Sequence, residues 1–85
     1  MTSEDSIRNL LKREIAEKIE VDINSIDEDA HLADLGIDSL QALQLLVVIE
    51  REYDLMLEDS DLEHFKSISS VATFVGSRLA AAVAK

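Results

Sequence analysis

Asp38-Ser39-Leu40-Gln41-Ala42-Leu43-Gln44-Leu45-Leu46-Val47-Val48-Ile49-Glu50-Arg51-Glu52-Tyr53 is the stretch that decides the fold. Neither proline nor glycine interrupts it, Asp38 stands as an N-cap, and Glu50 and Glu52 flank Arg51 near its end. At about 100° per residue, Ala42, Leu45, Leu46, Ile49 and Tyr53 share one wide apolar face, which predicts a helix over 39–53 with that face in the core. Leu40 and Val47 project almost oppositely, with Leu43 to their side. A small helical domain needs to bury one face of each helix, so this second strip beside Ser39 is expected to be exposed; cover by a neighbouring helix is the alternative.

The pattern extends outward on both sides. Ile7, Leu10, Leu11, Ile15 and Ile19 recur at helical spacing and predict a first helix over 4–19, with Ser3 or Ser6 available as N-cap. From Glu20 to Asp38 isolated apolar residues, Val21, Ile23, Ile26, Leu32, Leu35 and Ile37, alternate with Asp, Asn and Ser, which predicts a long loop pinned by its own side chains. Past Leu55-Met56-Leu57 and the acidic Glu58-Asp59-Ser60-Asp61, Leu62 and Phe65 suggest one short helical turn. A last helix is expected from Ser69 or Ser70 to Ala82, with Val71, Ala72, Phe74, Val75, Leu79 and Val83 as its stripe. Gly76, in its middle, is read as a place where another backbone comes close. The fold class is therefore all-α: three main helices and a short one, in a single domain over residues 1–85.

Composition limits the function. A chain of 85 residues builds one modest core, and a hydrophobic fraction of 47% argues for a folded rather than a disordered domain. Without cysteine it has neither disulfides nor a thiolate metal site. No apolar run approaches the roughly 18 residues of a membrane span. The acidic Met1-Thr2-Ser3-Glu4-Asp5 is unlike a secretory or mitochondrial leader, so a soluble, cytoplasmic, monomeric protein is expected. A net charge of −10 repels nucleic acid and anionic membranes and favours basic protein surfaces, or serves solubility alone.

Several chemistries are disfavoured. Asp27, Asp29 and His31 have the alternating spacing of calcium-loop ligands, but Leu32 stands where the turn needs glycine and Asp38 where a bidentate Glu would serve. His31 and His64 lie far apart, neither with a second histidine at helical spacing, so no metal site is expected. No phosphate-binding glycine loop, Cys-His pair or Gly-x-Ser-x-Gly elbow occurs, because Leu40 replaces the second glycine after Ser39. No catalytic residue is assigned.

The chemistry-bearing motif is Asp34-Leu35-Gly36-Ile37-Asp38-Ser39-Leu40. A serine at a helix start lies outside the main-chain ladder, within reach of another enzyme, and a phosphodiester there faces unpaired N–H groups and the positive helix end. Gly36 permits close approach of loop to helix, while Leu35 and Ile37 anchor the loop in the core. A plain N-cap after a loop is the other reading of Asp38-Ser39.

The motif closely resembles the attachment site of acyl and peptidyl carrier proteins, and the resemblance runs through nearly the whole chain. It includes the first amphipathic helix, the long loop, Glu50-Arg51-Glu52-Tyr53-Asp54 and Phe65-Lys66-Ser67-Ile68-Ser69-Ser70-Val71. It implies that Ser39, between Asp38 and Leu40, is esterified by 4'-phosphopantetheine, whose thiol holds acyl groups as thioesters. The protein is then a shuttle and not an enzyme. Its implied partners are a phosphopantetheinyl transferase, an acyl-loading enzyme, a ketosynthase or other condensing enzyme, and tailoring enzymes. Leu40, Leu43, Gln44, Val47, Glu50 and Arg51 form the expected partner face, and Ala42, Leu46, Ile49 and Tyr53 the expected acyl pocket.

One departure bears on pathway. Carriers of primary fatty-acid synthesis resemble one another in a strongly acidic second helix, but here Gln41, Gln44 and Arg51 occupy the corresponding exposed positions and only Asp38 and Glu50 remain. The resemblance is therefore closer to discrete carriers of specialised, polyketide-type biosynthesis, with a nonribosomal peptidyl or aminoacyl carrier and a fatty-acid carrier as alternatives. An unmodified acidic interaction domain is a more distant one.

The excess negative charge on so small a body makes one prediction. Moderate salt or millimolar magnesium should raise the melting temperature by screening self-repulsion. Calorimetric scans at low and moderate salt check this, and an unchanged or lowered midpoint counts against it.

Overall fold

The helices predicted from periodicity are present in the computed structural model, which describes residues 3–83: α1 is Ser3–Ile19, α2 is Ser39–Tyr53 and α3 is Ile68–Val83. A 3-10 turn at Ile23–Ser25 and a short 3-10 helix at Asp59–His64 complete the regular structure, and no strand occurs among the described residues. The architecture is thus all-α, three long helices plus a short one. The readings placed on Met1 and Thr2, and on Val83 as a stripe residue, lie outside the described residues and side chains.

Each long helix contributes one apolar face to a shared core. Ile7, Leu11 and Ile15 of α1, Leu45, Leu46 and Ile49 of α2, and Ile68, Val71, Ala72 and Val75 of α3 form one buried cluster. From the connecting segments Ile26, Leu32, Ile37 and Phe65 join it. Val21, expected to pin the loop, is instead 42% exposed. It follows the left-handed Glu20 that ends α1, where its N–H returns to the Ala16 carbonyl at 3.1 Å and the side chain is left outside.

α2 starts where Asp38 predicts. The Asp38 carboxylate accepts from the Gln41 N–H at 2.8 Å, and the Gln41 side-chain oxygen accepts from the Asp38 N–H at 3.1 Å, a reciprocal capping box. α3 starts earlier than the apolar stripe indicates, because two serines form the same device. The Ser67 hydroxyl accepts from the Ser70 N–H at 3.1 Å, and the Ser70 hydroxyl accepts from the Ser67 N–H at 2.9 Å. Ile68 thereby becomes the first helical residue and is fully buried.

The long loop is fastened rather than slack. The Leu32 N–H donates to the Lys66 carbonyl at 2.8 Å and the Ser69 N–H to the Glu28 carbonyl at 3.0 Å, tying the loop to the start of α3. Glu28 reaches Lys12 at 3.0 Å and Arg8 at 3.4 Å on α1. Asp27 and Asp29, weighed as calcium ligands, are used internally: Asp27 accepts from the Asp29 N–H and Asp29 from the Ser69 hydroxyl, both at 2.9 Å.

The two glycines differ from expectation in detail. Gly36 has φ +95°, and its nearest neighbour, the Ile19 Cγ2, would sit 3.8 Å from an added Cβ, so the position requires glycine for backbone angle and not for space. At Gly76 the close neighbour is a side chain and not a backbone: an added Cβ would meet the Glu4 Cγ of α1 at 2.9 Å.

Burial on α2 sets up a mutational contrast. Leu46→Ala and Ile49→Ala should each cost about 2 to 5 kcal/mol by opening cavities. Leu40→Ala and Val47→Ala, at 64% and 37% exposure, should fall within about 0.5 kcal/mol of the parent. Urea melts of the four variants check this; equal losses would show that the outer strip is buried.

Candidate functional site

The turn leading into α2, residues 32–37, is closed by two backbone hydrogen bonds. The Gly36 N–H donates to the Ala33 carbonyl at 3.1 Å and the Ile37 N–H to the Leu32 carbonyl at 2.9 Å. With Gly36 at positive φ and both Leu32 and Ile37 buried, this is the closure that usually finishes a helix, here applied to residues 32–37. Ile37 is thus anchored inward, and Asp38, Ser39 and Leu40 emerge exposed.

Ser39 is the first residue of α2, and its hydroxyl has no hydrogen-bond partner among the described residues. Asp38 satisfies the Gln41 N–H, and the Ser39 and Leu40 N–H groups, in the first turn, have no intrahelical acceptor at the positive end of the helix.

Beyond Ser39, the outer side of α2 carries the expected partner residues in a row. Leu40, Gln44, Val47 and Arg51 are exposed and fall within a sector of about 60°. Leu43 and Glu50 lie at its flank, half-buried. The Glu50 carboxylate is occupied, accepting from the Leu57 N–H at 3.0 Å. One neighbour was not legible from the helix itself: Lys18, in the last turn of α1, donates to the Gln44 side-chain oxygen at 3.2 Å. Its place in the sequence, 26 residues from Gln44, carries no local signal of this contact.

The four residues expected to line an acyl pocket are divided by the packing. Leu46 and Ile49 are 3% and 0% exposed within the core, whereas Ala42 and Tyr53 are half-buried. Tyr53 lines a depression of about 410 Å³ with Ser6, Asn9, Leu10, Arg13 and Glu52. A second, more open cleft of about 600 Å³ is lined by His64, Phe74 and hydroxyls of α3, including Ser67, Ser69 and Ser70. Those serines bond within the fold, and His64 stacks on Phe74 at 4.4 Å, so this cleft reads as part of the joint between the 3-10 helix and α3.

With this geometry in view, comparison with known proteins is decisive. The family model described as the phosphopantetheine attachment site matches residues 9–75. The chain belongs to this family of carrier proteins. An acyl carrier protein of Thermotoga maritima is 32% identical over 80 residues, covering 93% of this chain and 99% of that protein. One from Bdellovibrio bacteriovorus is 34% identical over 71 residues, covering 82% and 91%. Among solved structures, a free-standing peptidyl carrier protein from a secondary metabolic pathway of Acinetobacter baumannii gives a TM-score of 0.81 at 25% identity, covering 91% of this chain and 96% of that one. The HMG-ACPI domain of the CurA module from Lyngbya majuscula, at 24% identity, gives 0.77 over 92% and 79% and shares the fold.

Carrier proteins of this family are not enzymes; they bear 4'-phosphopantetheine and work with modifying and biosynthetic enzymes. The start of α2 fits such a group: Asp38, Ser39 and Leu40 are exposed, the Ser39 hydroxyl has no partner among the described residues, and the first-turn N–H groups lack intrahelical acceptors. Among the described residues no helix is long and apolar enough to cross a membrane.

Tyr53 provides a check on the α1–α2 seam. Burial raises its phenol above the ordinary 10.0, the Glu52 carboxylate adds to this, and Arg13 opposes it. The neutral phenol is favoured in the folded state, so its stabilising contribution is complete below pH 10.0 and is lost as pH rises through the folded value. As the chain has one tyrosine and no tryptophan, near-ultraviolet absorbance reports it alone. The titration midpoint should lie above 10.0 and rise further in Arg13→Ala. A midpoint at or below 10.0 would place the phenol in water.

Proposed function

We propose that Ser39 carries 4'-phosphopantetheine and that the protein passes acyl intermediates between enzymes of a specialised, polyketide-type biosynthesis. The observation that carries this reading is the Ser39 hydroxyl, exposed and without a hydrogen bond at the first residue of α2, within the segment matched by the attachment-site family. When bound, the group supplies a terminal thiol for thioester linkage, the sulfur that a chain without cysteine lacks. Asp38 holds the helix start that presents Ser39, and Leu40 beside it offers an apolar contact to the modifying transferase.

The pathway reading rests on α2. Its exposed row holds Leu40, Gln44, Val47 and Arg51 and no carboxylate, which favours partners other than those of primary fatty-acid synthesis. A peptidyl or aminoacyl carrier is the second reading, favoured by the likeness to the free-standing peptidyl carrier over nearly the full length of both chains. In either case the chain acts as one monomeric, cytoplasmic carrier domain over residues 1–85. Its partners are a phosphopantetheinyl transferase, a loading enzyme, a ketosynthase or other condensing enzyme, and tailoring enzymes. Cargo lodged between the helices would enter past half-buried Ala42 and Tyr53 and displace Leu46 and Ile49 from their core contacts.

Intact-mass measurement after incubation with coenzyme A and a broad-specificity phosphopantetheinyl transferase tests the site. The parent chain and Ser60→Ala should gain the mass of one phosphopantetheine, and Ser39→Ala none while keeping its helical circular dichroism. Full loading of Ser39→Ala refutes the site. Weighing the cargo ejected from protein isolated from its native producer separates the pathways, since a ketide, an aminoacyl group and a saturated fatty acyl group differ in mass.

A further inference from the structure

The groups free to pair across the partner face differ from what the net charge of the molecule suggests. On a protein of net charge −10, two acids beside the exposed row of α2 accept hydrogen bonds within the fold: Asp38 from the Gln41 N–H at 2.8 Å and Glu50 from the Leu57 N–H at 3.0 Å. Gln41 is bonded in turn to the Asp38 N–H. The cations are placed differently. Arg51 is exposed in line with Leu40 and Val47, and Lys18 reaches across from α1 to Gln44. Glu14 and Glu17 stand beside Lys18, but its ammonium bonds to Gln44 at 3.2 Å, and among the described residues neither Lys18 nor Arg51 forms an ion pair. The result is an apolar strip, 64% exposed at Leu40 and 37% at Val47, at whose edge Arg51 and Lys18 are cations without an ion-pair partner among the described residues, while Asp38 and Glu50 each accept a backbone hydrogen bond within the fold.

Building on the carrier reading above, we infer that this face docks on enzymes whose carrier-binding surface is an apolar hollow edged by carboxylates, and that Lys18 of α1 is a specificity residue of the interface. An apolar hollow receives Leu40 and Val47. Carboxylates at its edge meet Arg51 at one end of the strip and Lys18 beside its middle. A surface edged by lysine and arginine meets like charge at both points, and like charge at an interface lowers association rate and excludes the wrong partner.

The test uses one ketosynthase with a lysine- and arginine-edged carrier-docking patch, together with a form of that enzyme in which those residues are replaced by glutamate. Loading of each carrier is verified by intact mass before enzyme is added, so a failure at Ser39 is seen separately. Affinities of the unloaded chain for both immobilised enzymes are measured as well, so the charge inference is decided even if loading fails. The parent chain should bind, and transfer its acyl group to, the glutamate form about five-fold or more better than the basic form, with the gap narrowing as salt rises. Lys18→Glu combined with Arg51→Glu should reverse the order, and Lys18→Glu alone should shift it part of the way. An unchanged order in the double variant, or no response to Lys18→Glu alone, overturns the assignment. Sedimentation showing self-association of the parent chain that Val47→Glu abolishes would assign the face to a second copy and also overturn it.

Discussion

The hydrogen bond from the Ile37 N–H to the Leu32 carbonyl, 2.9 Å long and closed through Gly36 at φ +95°, is the constraint on which the presentation of Ser39 depends. It turns the chain sharply enough for Ile37 to enter the core while Asp38, next along, remains outside to cap α2. Leu32 is held from both sides, its N–H on the Lys66 carbonyl and its side chain buried with Ile37, so the turn is fixed to the start of α3 as well. A side chain with a Cβ at position 36 would have to adopt a backbone conformation that costs roughly 1 to 2 kcal/mol, a sizeable part of a small domain's stability. Position 36 is therefore glycine for reasons of backbone, and the exposure of the serine follows from the turn.

How much of this was legible in the sequence depended on whether the signal was local. The three helices were, because Ile7, Leu11 and Ile15, or Leu45 and Ile49, repeat at helical spacing without competing glycine or proline. The Asp38 cap and the two-sided character of α2 were legible for the same reason, and the burial of Leu46 and Ile49 against the exposure of Leu40 follows the helix geometry. The start of α3 was misplaced by a residue or two because Ser67, Ser69 and Ser70 all resemble N-caps, and the pairing of Ser67 with Ser70 is decided by geometry. Val21 and the neighbour of Gly76 were misread because each depends on where another segment lies. The contact of Lys18 with Gln44 belongs to the same class: two residues on different helices, each ordinary by itself.

The acidity of the chain illustrates why composition is a poor guide to a surface. Several of its 18 carboxylates serve as backbone acceptors, as Asp22 does for Asn24, Asp27 for Asp29 and Asp61 for Glu58. A chain with long connections between its helices has unpaired N–H groups at helix starts and turns, and carboxylates are strong acceptors for them. Part of the negative charge is thus a consequence of the architecture. It also opposes compactness through self-repulsion, which the ion pairs of Glu28 with Arg8 and Lys12 offset locally.

Function places a different demand on α2, and the helix meets it by dividing its circumference. The inner side, with Leu45, Leu46 and Ile49 essentially buried, fixes the helix on α1 and α3; the outer side carries no large burial and is free to vary in charge without loss of the fold. Substituting glutamine or arginine for an acid there costs little in stability, because exposed charges contribute at most about 1 kcal/mol each, yet such contacts act together at an interface and change the choice of partner. The same energy scale that makes these residues unimportant to folding makes them effective in recognition. A shuttle that must bind several enzymes briefly gains from contacts of that size, since a few of them set the order of preference and none of them delays release.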